Sequence, residues 1–245
     1  MRSRAVNGLQ GLRVLVTGAA GGIGSRVVAR LVTEGAHVAA TDIVAPALEG
    51  ISFAAAAEIT DENSVAALVA ATEVALGGID ALVAVAGIQV SGPTHEVSAA
   101  DFRKVLEVSV MGTFLTTKAV VPAMLAQGSG RIVTFGSTAA VVAAPELAAY
   151  AAAKGAVLQF TKSVAVEYAR QGIRANCVCP GGTMTPLLAE IDKHRTGPDH
   201  FREGHPIGRY ADPNKVASVV AFLLSDDSSF VLGSTLMVDG GYSCV

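Results

Sequence analysis

The chain has 245 residues, 51% of them apolar and 16% charged, with a formal net charge of −3. That length fits one α/β domain with a sizeable core, though by itself it would also permit two, and that composition excludes a disordered chain. There is no block of like charges, which excludes the electrostatic footprint of a nucleic-acid binder, and no uninterrupted apolar run reaches the ~18 residues of a membrane-spanning helix.

Taken in order, strand-like and helix-like segments alternate. Arg2 and Arg4 are not followed by an apolar stretch of signal-peptide length. Leu12 to Thr17 reads as a first strand ending in glycines, and Gly22 to Thr33 as a helix stopped by Gly35. Ala36 to Asp42 and Ser52 to Ala57 are the next strands. The ten residues between them, broken by Pro46 and Gly50, are too few for an ordinary parallel crossover, so its helix must be missing or reduced to a turn. Thr60 or Asp61 caps a helix to about Leu76. Asp80 to Val85 is a strand, and Ser98 to Gln127 a helix interrupted near Gly112 and Pro122. Arg131 to Phe135, Ile173 to Val178 and Thr235 to Val238 are strands; Leu147 to Tyr168 and Asp212 to Leu224 are helices. Cys177 and Cys179 are expected as strand neighbours on opposite faces, a poor metal site. With Cys244 they are too few for a disulfide framework, so a reducing, cytoplasmic compartment is expected. The alternation implies a doubly wound parallel sheet of about seven strands with helices on both faces, a single Rossmann-type domain over residues 1–245.

Two stretches carry chemistry. Thr17-Gly18-Ala19-Ala20-Gly21-Gly22-Ile23-Gly24 follows a strand and opens a helix. Glycines there let the backbone approach a pyrophosphate, and the helix N-terminus supplies N–H donors and positive dipole. Asp42 ends the second strand, 18 residues after Gly24. A carboxylate there can accept both hydroxyls of an adenosine ribose and repels a 2′-phosphate, which favours NAD over NADP. The second stretch is Tyr150-Ala151-Ala152-Ala153-Lys154, a phenol and an ammonium one helical turn apart. The charge favours phenolate, so the pair can exchange a proton with an alcohol near neutral pH.

Thr17-Gly18-x-x-x-Gly22-Ile23-Gly24 with Tyr150-x-x-x-Lys154, and Ser137 thirteen residues before the tyrosine, resembles the short-chain dehydrogenases/reductases. The likeness runs on through Arg174-Ala175-Asn176, Pro180-Gly181, Thr185-Pro186 and Asp239-Gly240-Gly241, nearly the whole chain. The resemblance implies that Tyr150 is the acid/base. Lys154 would lower its pKa and hold the nicotinamide ribose, and Ser137 would bind the reacting oxygen. Pro180, Gly181, Thr183 and Thr185 would line the nicotinamide, Glu58 and Ile59 the adenine, and Ala86 and Gly87 the crevice between them. It also implies a homotetramer, packed through residues 99–127 and 148–169 with Gly240 to Val245 at a second interface.

The chain departs from that pattern twice. Ala84-Val85-Ala86-Gly87 stands where the family often has Asn-Asn-Ala-Gly. Ser109 stands where the family has an active-site asparagine that holds a relay water, and its shorter side chain cannot donate as an amide does. The Ser109 carbonyl could still bind that water, exposed by a local break near Gly112.

Residues 184–210 interrupt the regular pattern and read as a substrate lid. Glu190, Asp192, Asp199 and Glu203 balance Lys193, Arg195, Arg202 and Arg209, so charge does not call for an anionic substrate. His194, His200 and His205 are expected at its surface, since Tyr150 fills the acid/base role. No residue set asks for a metal. The expectation is hydride transfer between NAD(H) and a secondary alcohol or ketone. The short second crossover and the stretch 143–180 resemble bacterial dehydrogenases of cyclic dihydrodiols and hydroxylated cyclohexenyl compounds. The alternatives are an NADPH-dependent ketoreductase, which Asp42 disfavours, and a silent NAD-binding scaffold, which Ser109 favours and the intact Ser137, Tyr150 and Lys154 disfavour.

Overall fold

The structure, a computed structural model, describes residues 6–186, 188–189 and 199–245. Seven parallel strands form one sheet in the order β3-β2-β1-β4-β5-β6-β7. They are β1 (Arg13–Thr17), β2 (His37–Asp42), β3 (Phe53–Ala56), β4 (Ala81–Ala84), β5 (Gly130–Phe135), β6 (Ile173–Pro180) and β7 (Thr235–Val238). The central strands are apolar on both sides because both faces are covered: all four residues of β4 are buried. Edge strand β3 alternates between half-buried and exposed.

Side-chain alternation along the strands sorts the core into two layers. Val14, Val16, Val38, Val83, Val133, Phe135 and Val178 point to one face. There they meet α1 (Gly24–Thr33) and α7 (Pro213–Leu224) through Val27, Val28, Leu31, Val216, Val220 and Leu224. Leu15, Leu82, Ile132 and Ala175 point to the other. There lie α2 (Glu62–Leu76), α4 (Gly112–Gln127) and α5 (Ala148–Tyr168), through Val65, Leu68, Met124 and Val164. Between β2 and β3 the described residues hold no helix, as the short crossover requires.

The helix ends follow their capping residues. The Asp61 carboxylate accepts the Ser64 N–H at 2.7 Å, and Gly77, with φ 77°, closes α2. Ser98 caps α3 (Ala99–Leu106) and Asp212 caps α7. Between α3 and α4 the chain makes a π-helical turn, Glu107–Met111, in which the Gly112 N–H reaches back to the Glu107 carbonyl. That is the interruption expected near Gly112. The one expected at Pro122 is absent: α4 runs through it. Pro122 is exposed, on the side where helix carbonyls turn toward water, so the missing N–H costs little there. The run 99–127 is long and apolar enough to cross a membrane by length and composition, but half of its most apolar window is buried inside this fold.

Candidate active site

The strand order reverses between β1 and β4, and the crevice of a doubly wound sheet lies beyond the C-terminal ends of its strands at that point. The glycine turn after β1 sits there. Gly18 has φ 65°, and a Cβ on it would stand 2.6 Å from the Ala86 nitrogen after β4. A Cβ on Gly24 would stand 2.1 Å from the Gly18 carbonyl oxygen, so the first turn of α1 packs directly on the loop. A Cβ on Gly22 would meet Thr185 and Pro186 at 2.7–2.9 Å, which sets the glycine turn against the start of the segment after β6. Unlike α2, α3 and α7, but like α4 and α5, α1 begins with neither a side-chain cap nor an acid in its first turn. The cradle therefore fits the pyrophosphate of a dinucleotide: no side chain fills it and no carboxylate repels a phosphate at the helix start.

Asp42, at the end of β2, stands beside the glycine turn. Its two oxygens accept the N–H groups of Ala20 at 2.9 Å and Ile43 at 2.8 Å. Each oxygen keeps a further lone pair for a ribose hydroxyl. Glu58 and Ile59 lie just after β3. The Glu58 carboxylate turns back on the Thr60 N–H and hydroxyl at 3.1 and 2.8 Å. Ile59 is buried against Gly112, where a Cβ would stand 2.5 Å from its Cδ1.

The other residues of the site stand on α5, after β5 and on the π turn. Ser137 follows β5, and its hydroxyl accepts the Ala139 N–H at 3.2 Å. Tyr150 and Lys154 share a face of α5, with the Lys154 ammonium 5.7 Å from the centre of the Tyr150 ring. Burial pushes the Tyr150 phenol above its ordinary value, and a hydrogen bond with Ser137 pulls it back down. Burial lowers the Lys154 ammonium to about 8. Its described anchor is the Phe135 carbonyl, which accepts from Nζ at 2.9 Å. These residues therefore place a phenol, a hydroxyl that can donate to it and a cation at one end of the crevice.

Ser109, on the π turn, is fully buried, and its hydroxyl has no hydrogen-bond partner among the described residues. A Cβ on Gly87 would stand 3.0 Å from Lys154 Nζ and 3.3 Å from Ser109 Oγ, so the crevice floor, the lysine and the orphan hydroxyl surround one small space. The Ser109 carbonyl does not lie idle: it accepts the Thr113 hydroxyl at 2.7 Å.

Three supports were not visible as site residues. Phe135 contributes only its carbonyl, which no side-chain motif announces. Cys177 and Cys179 do not point to opposite faces. Residues two apart on a strand share a face, and the two sulfurs lie 3.9 Å apart behind Gly136, where a Cβ would stand 2.6 Å from Cys179 Sγ. Hydrogen bonds from Cys179 and Thr134 favour ionisation of Cys177, while the same contact and burial hold Cys179 protonated. No group of three or more metal-ligating side chains occurs among the described residues.

His205 is the third, and the surface expected for it is a correction: it is 2% exposed, wedged among Phe201, Tyr210 and Tyr242 with ring centres 4.8–5.8 Å away. The aromatic side chains at 201, 210 and 242 are too far apart in sequence to signal this. His194, Glu190, Asp192, Lys193 and Arg195 lie outside the described residues. Asp199 caps the short helix α6 (His200–Glu203) and accepts the Tyr210 hydroxyl at 2.7 and 2.9 Å. Thr183 donates to the Gly181 carbonyl at 3.0 Å. Thr185 uses its hydroxyl to accept the Leu188 N–H at 3.3 Å.

Comparison with known proteins agrees with this geometry. Residues 18–243 match the family model described as enoyl-(acyl carrier protein) reductase. A 2,5-dichloro-2,5-cyclohexadiene-1,4-diol dehydrogenase of Sphingobium indicum is 39% identical over 97% of this chain and 99% of its own. A cis-4-hydroxycyclohexanecarboxylate dehydrogenase of Sinomonas cyclohexanicum is 42% identical over 94% of this chain and 96% of its own. The crystal structure of a 3-ketoacyl-(acyl-carrier-protein) reductase from Brucella melitensis complexed with NADH superimposes with a TM-score of 0.89, at 33% identity over 96% of this chain and 99% of that one. The chain belongs to the short-chain dehydrogenase/reductase family. It is an oxidoreductase of secondary alcohols and ketones that works with a nicotinamide dinucleotide.

Proposed function

We propose that the protein is an NAD-dependent dehydrogenase of a cyclic secondary alcohol, a ring diol or a hydroxylated cyclohexane or cyclohexene. The observation that carries the reading is the convergence of Ser137, Tyr150 and Lys154 on one end of a crevice whose other end is closed by Asp42. The bound nicotinamide supplies the hydride acceptor in one direction and the donor in the other. Ser137 donates to the reacting oxygen and fixes its position. Tyr150 takes the alcohol proton on oxidation and returns it on reduction. Lys154 holds a ribose hydroxyl and keeps positive charge beside the phenol. Gly18, Gly22, Ile23 and Gly24 carry the pyrophosphate, and Ala86, Gly87, Pro180, Gly181, Thr183 and Thr185 line the path to the nicotinamide.

Asp42 supports NAD, because a 2′-phosphate beside its carboxylate would be repelled by a couple of kcal/mol, about 10–100-fold in affinity. The ring substrate is supported by the two relatives named for cyclohexadiene and cyclohexane alcohols. The half-buried apolar residues Ile88 and Val90 and the exposed Val141 and Met184, near the catalytic end in sequence and topology, suit such a ring better than a charged chain. Residues 184–210 would close over it. A homotetramer is supported by the apolar side chains left exposed on the helices named for it, Met111, Phe114, Leu125 and Val166.

The test is dinucleotide binding and turnover with a panel of cyclic alcohols. NAD should be preferred at least tenfold over NADP, and Asp42→Ala should narrow the gap. Equal affinity for both cofactors in the unmutated protein would contradict the reading.

A further inference from the structure

The turn after β6 is tied down from three directions. The Gly181 N–H donates to the Val238 carbonyl at 3.1 Å, and the Gly182 carbonyl accepts the Ala211 N–H at 2.8 Å. The third tie is a side chain. The Gly182 N–H donates to His205 Nε2 at 3.0 Å, while His205 Nδ1 lies 2.6 Å from the Phe201 carbonyl. A carbonyl can only accept, so Nδ1 carries the hydrogen and Nε2 holds the lone pair. Both ring nitrogens are thus committed, in a neutral imidazole that is almost wholly buried.

The position of this ring gives it leverage. A Cβ on Gly181 would stand 2.9 Å from His205 Nε2 and 2.8 Å from the Asp239 backbone, so the turn has no slack against the histidine. Phe201 belongs to the segment after the turn, and Tyr242 to the C-terminal turn, and both rings pack on the imidazole. One side chain joins the turn, the lid segment and the C-terminus.

We propose that His205 is a positioning residue for the dinucleotide site: its neutral imidazole holds the Gly182 N–H inward and so sets the Pro180–Thr183 backbone against which the nicotinamide rests. This rests on the cofactor reading above. Without an acceptor at that position the Gly182 N–H would be buried and unpaired. The turn would be released and dinucleotide binding would weaken. Other charged and polar groups face the same region. Asp239, Arg209 and Lys215 line the cavity of about 360 Å³ beside His205; Tyr210 and Tyr242 pack on the ring, Asp199 binds the Tyr210 hydroxyl, and Glu203 lies on the neighbouring helix. Asp239 is already satisfied by the Gly241 and Ser243 N–H groups and the Ser243 hydroxyl at 2.6–3.1 Å, which holds it ionised.

The experiment measures binding of NADH and of NADPH by nicotinamide fluorescence. It compares the unmutated protein with His205→Gln and His205→Phe, with thermal melting as the folding control. Glutamine offers a replacement acceptor; phenylalanine keeps the ring packing and orphans the Gly182 N–H. His205→Gln should bind within about threefold of the unmutated protein. His205→Phe should bind about tenfold or more weakly, the scale of one orphaned buried donor. Binding in His205→Gln as weak as in His205→Phe, or unchanged binding in His205→Phe, would overturn the proposal. An unmutated protein that binds neither dinucleotide would overturn it together with the cofactor reading, whereas binding with unmoved variants overturns it alone.

Discussion

The two faces of the sheet are built from different materials. On the face covered by α1 and α7, the buried helix residues are apolar throughout: Val27, Val28, Leu31, Val216, Ala217, Val220, Ala221, Leu223 and Leu224, apart from Gly24 at the crevice. On the face covered by α4 and α5, the buried helix residues include Thr113, Thr116, Thr117, Thr161 and Lys154, with Ser109 on the turn between α3 and α4. The strand residues below them follow suit: Thr134 shares a 2.6 Å hydroxyl contact with Thr161, and Cys177 lies in register beside Thr134. One layer stabilises the fold by burial, and the other spends part of that stability holding a buried cation and its neighbours where chemistry needs them. The difference teaches where substitutions should hurt folding and where they should hurt turnover.

The largest effect should come from the polar face. Tyr150→Phe removes the ionisable oxygen and keeps the ring packing, so turnover should fall by roughly 10²–10⁴, the worth of general acid–base catalysis, with dinucleotide binding retained. Steady-state kinetics with an identified substrate checks this. The pH profile sharpens it. Burial raises the Tyr150 phenol, so the phenolate needed for alcohol oxidation forms on the alkaline side, and oxidation should rise with pH while ketone reduction falls. Ser137 pulls the phenol down, so Ser137→Ala should move the oxidative limb to higher pH as well as slowing it.

Stability should answer in the opposite order. Leu31 is completely buried on the apolar face, and Leu31→Ala should cost about 2–5 kcal/mol in denaturant unfolding while leaving turnover per folded molecule near normal. Lys154→Met should abolish activity and yet stabilise. The ammonium, brought from 10.5 to about 8 by burial, is charged in both states below pH 8, where its burial penalty is complete. The unfolded chain binds the extra proton between 8 and 10.5, so the unmutated protein regains stability there as pH rises. The variant should therefore be more stable by about 1–3 kcal/mol at neutral pH, with the advantage shrinking toward pH 10. A variant less stable than its parent at pH 7 would contradict the contrast between the faces.

The smallest effects concern the hydroxyls that hold nothing. Thr117 Oγ1 is buried without a partner among the described residues, so Thr117→Val should change stability by less than about 1 kcal/mol in either direction. Ser109→Asn should change turnover less than about threefold, because the Ser109 carbonyl keeps a lone pair beside its bond from Thr113 and a water needs only two to four polar partners. A tenfold rise would show that the missing amide limits proton exchange.

Much of this was legible in the chain. The glycine turn, Asp42 and the Tyr150–Lys154 spacing are local patterns, each carried by a strand–turn–helix or by one helical face, and each lands in the crevice. The missing crossover helix was legible for the same reason: ten residues with a proline and a glycine cannot hold it. What was not legible depends on long-range packing. Pro122 reads as a breaker until its solvent-facing side is known. His205 reads as a surface histidine until residues 182, 201 and 242 meet around it. Cys177 and Cys179, two apart on β6, share a face by strand alternation alone.

The measurement that bears most directly on the account is absorbance at the reduced-nicotinamide band with NAD and a panel of cyclic secondary alcohols, run on the unmutated protein and on Tyr150→Phe. The expected result is NAD reduction with at least one ring alcohol, faster at alkaline pH, and at least a hundredfold loss in Tyr150→Phe with NAD still bound. Turnover that survives in Tyr150→Phe would contradict the assignment of the proton to this residue, and with it the division of labour between the two faces.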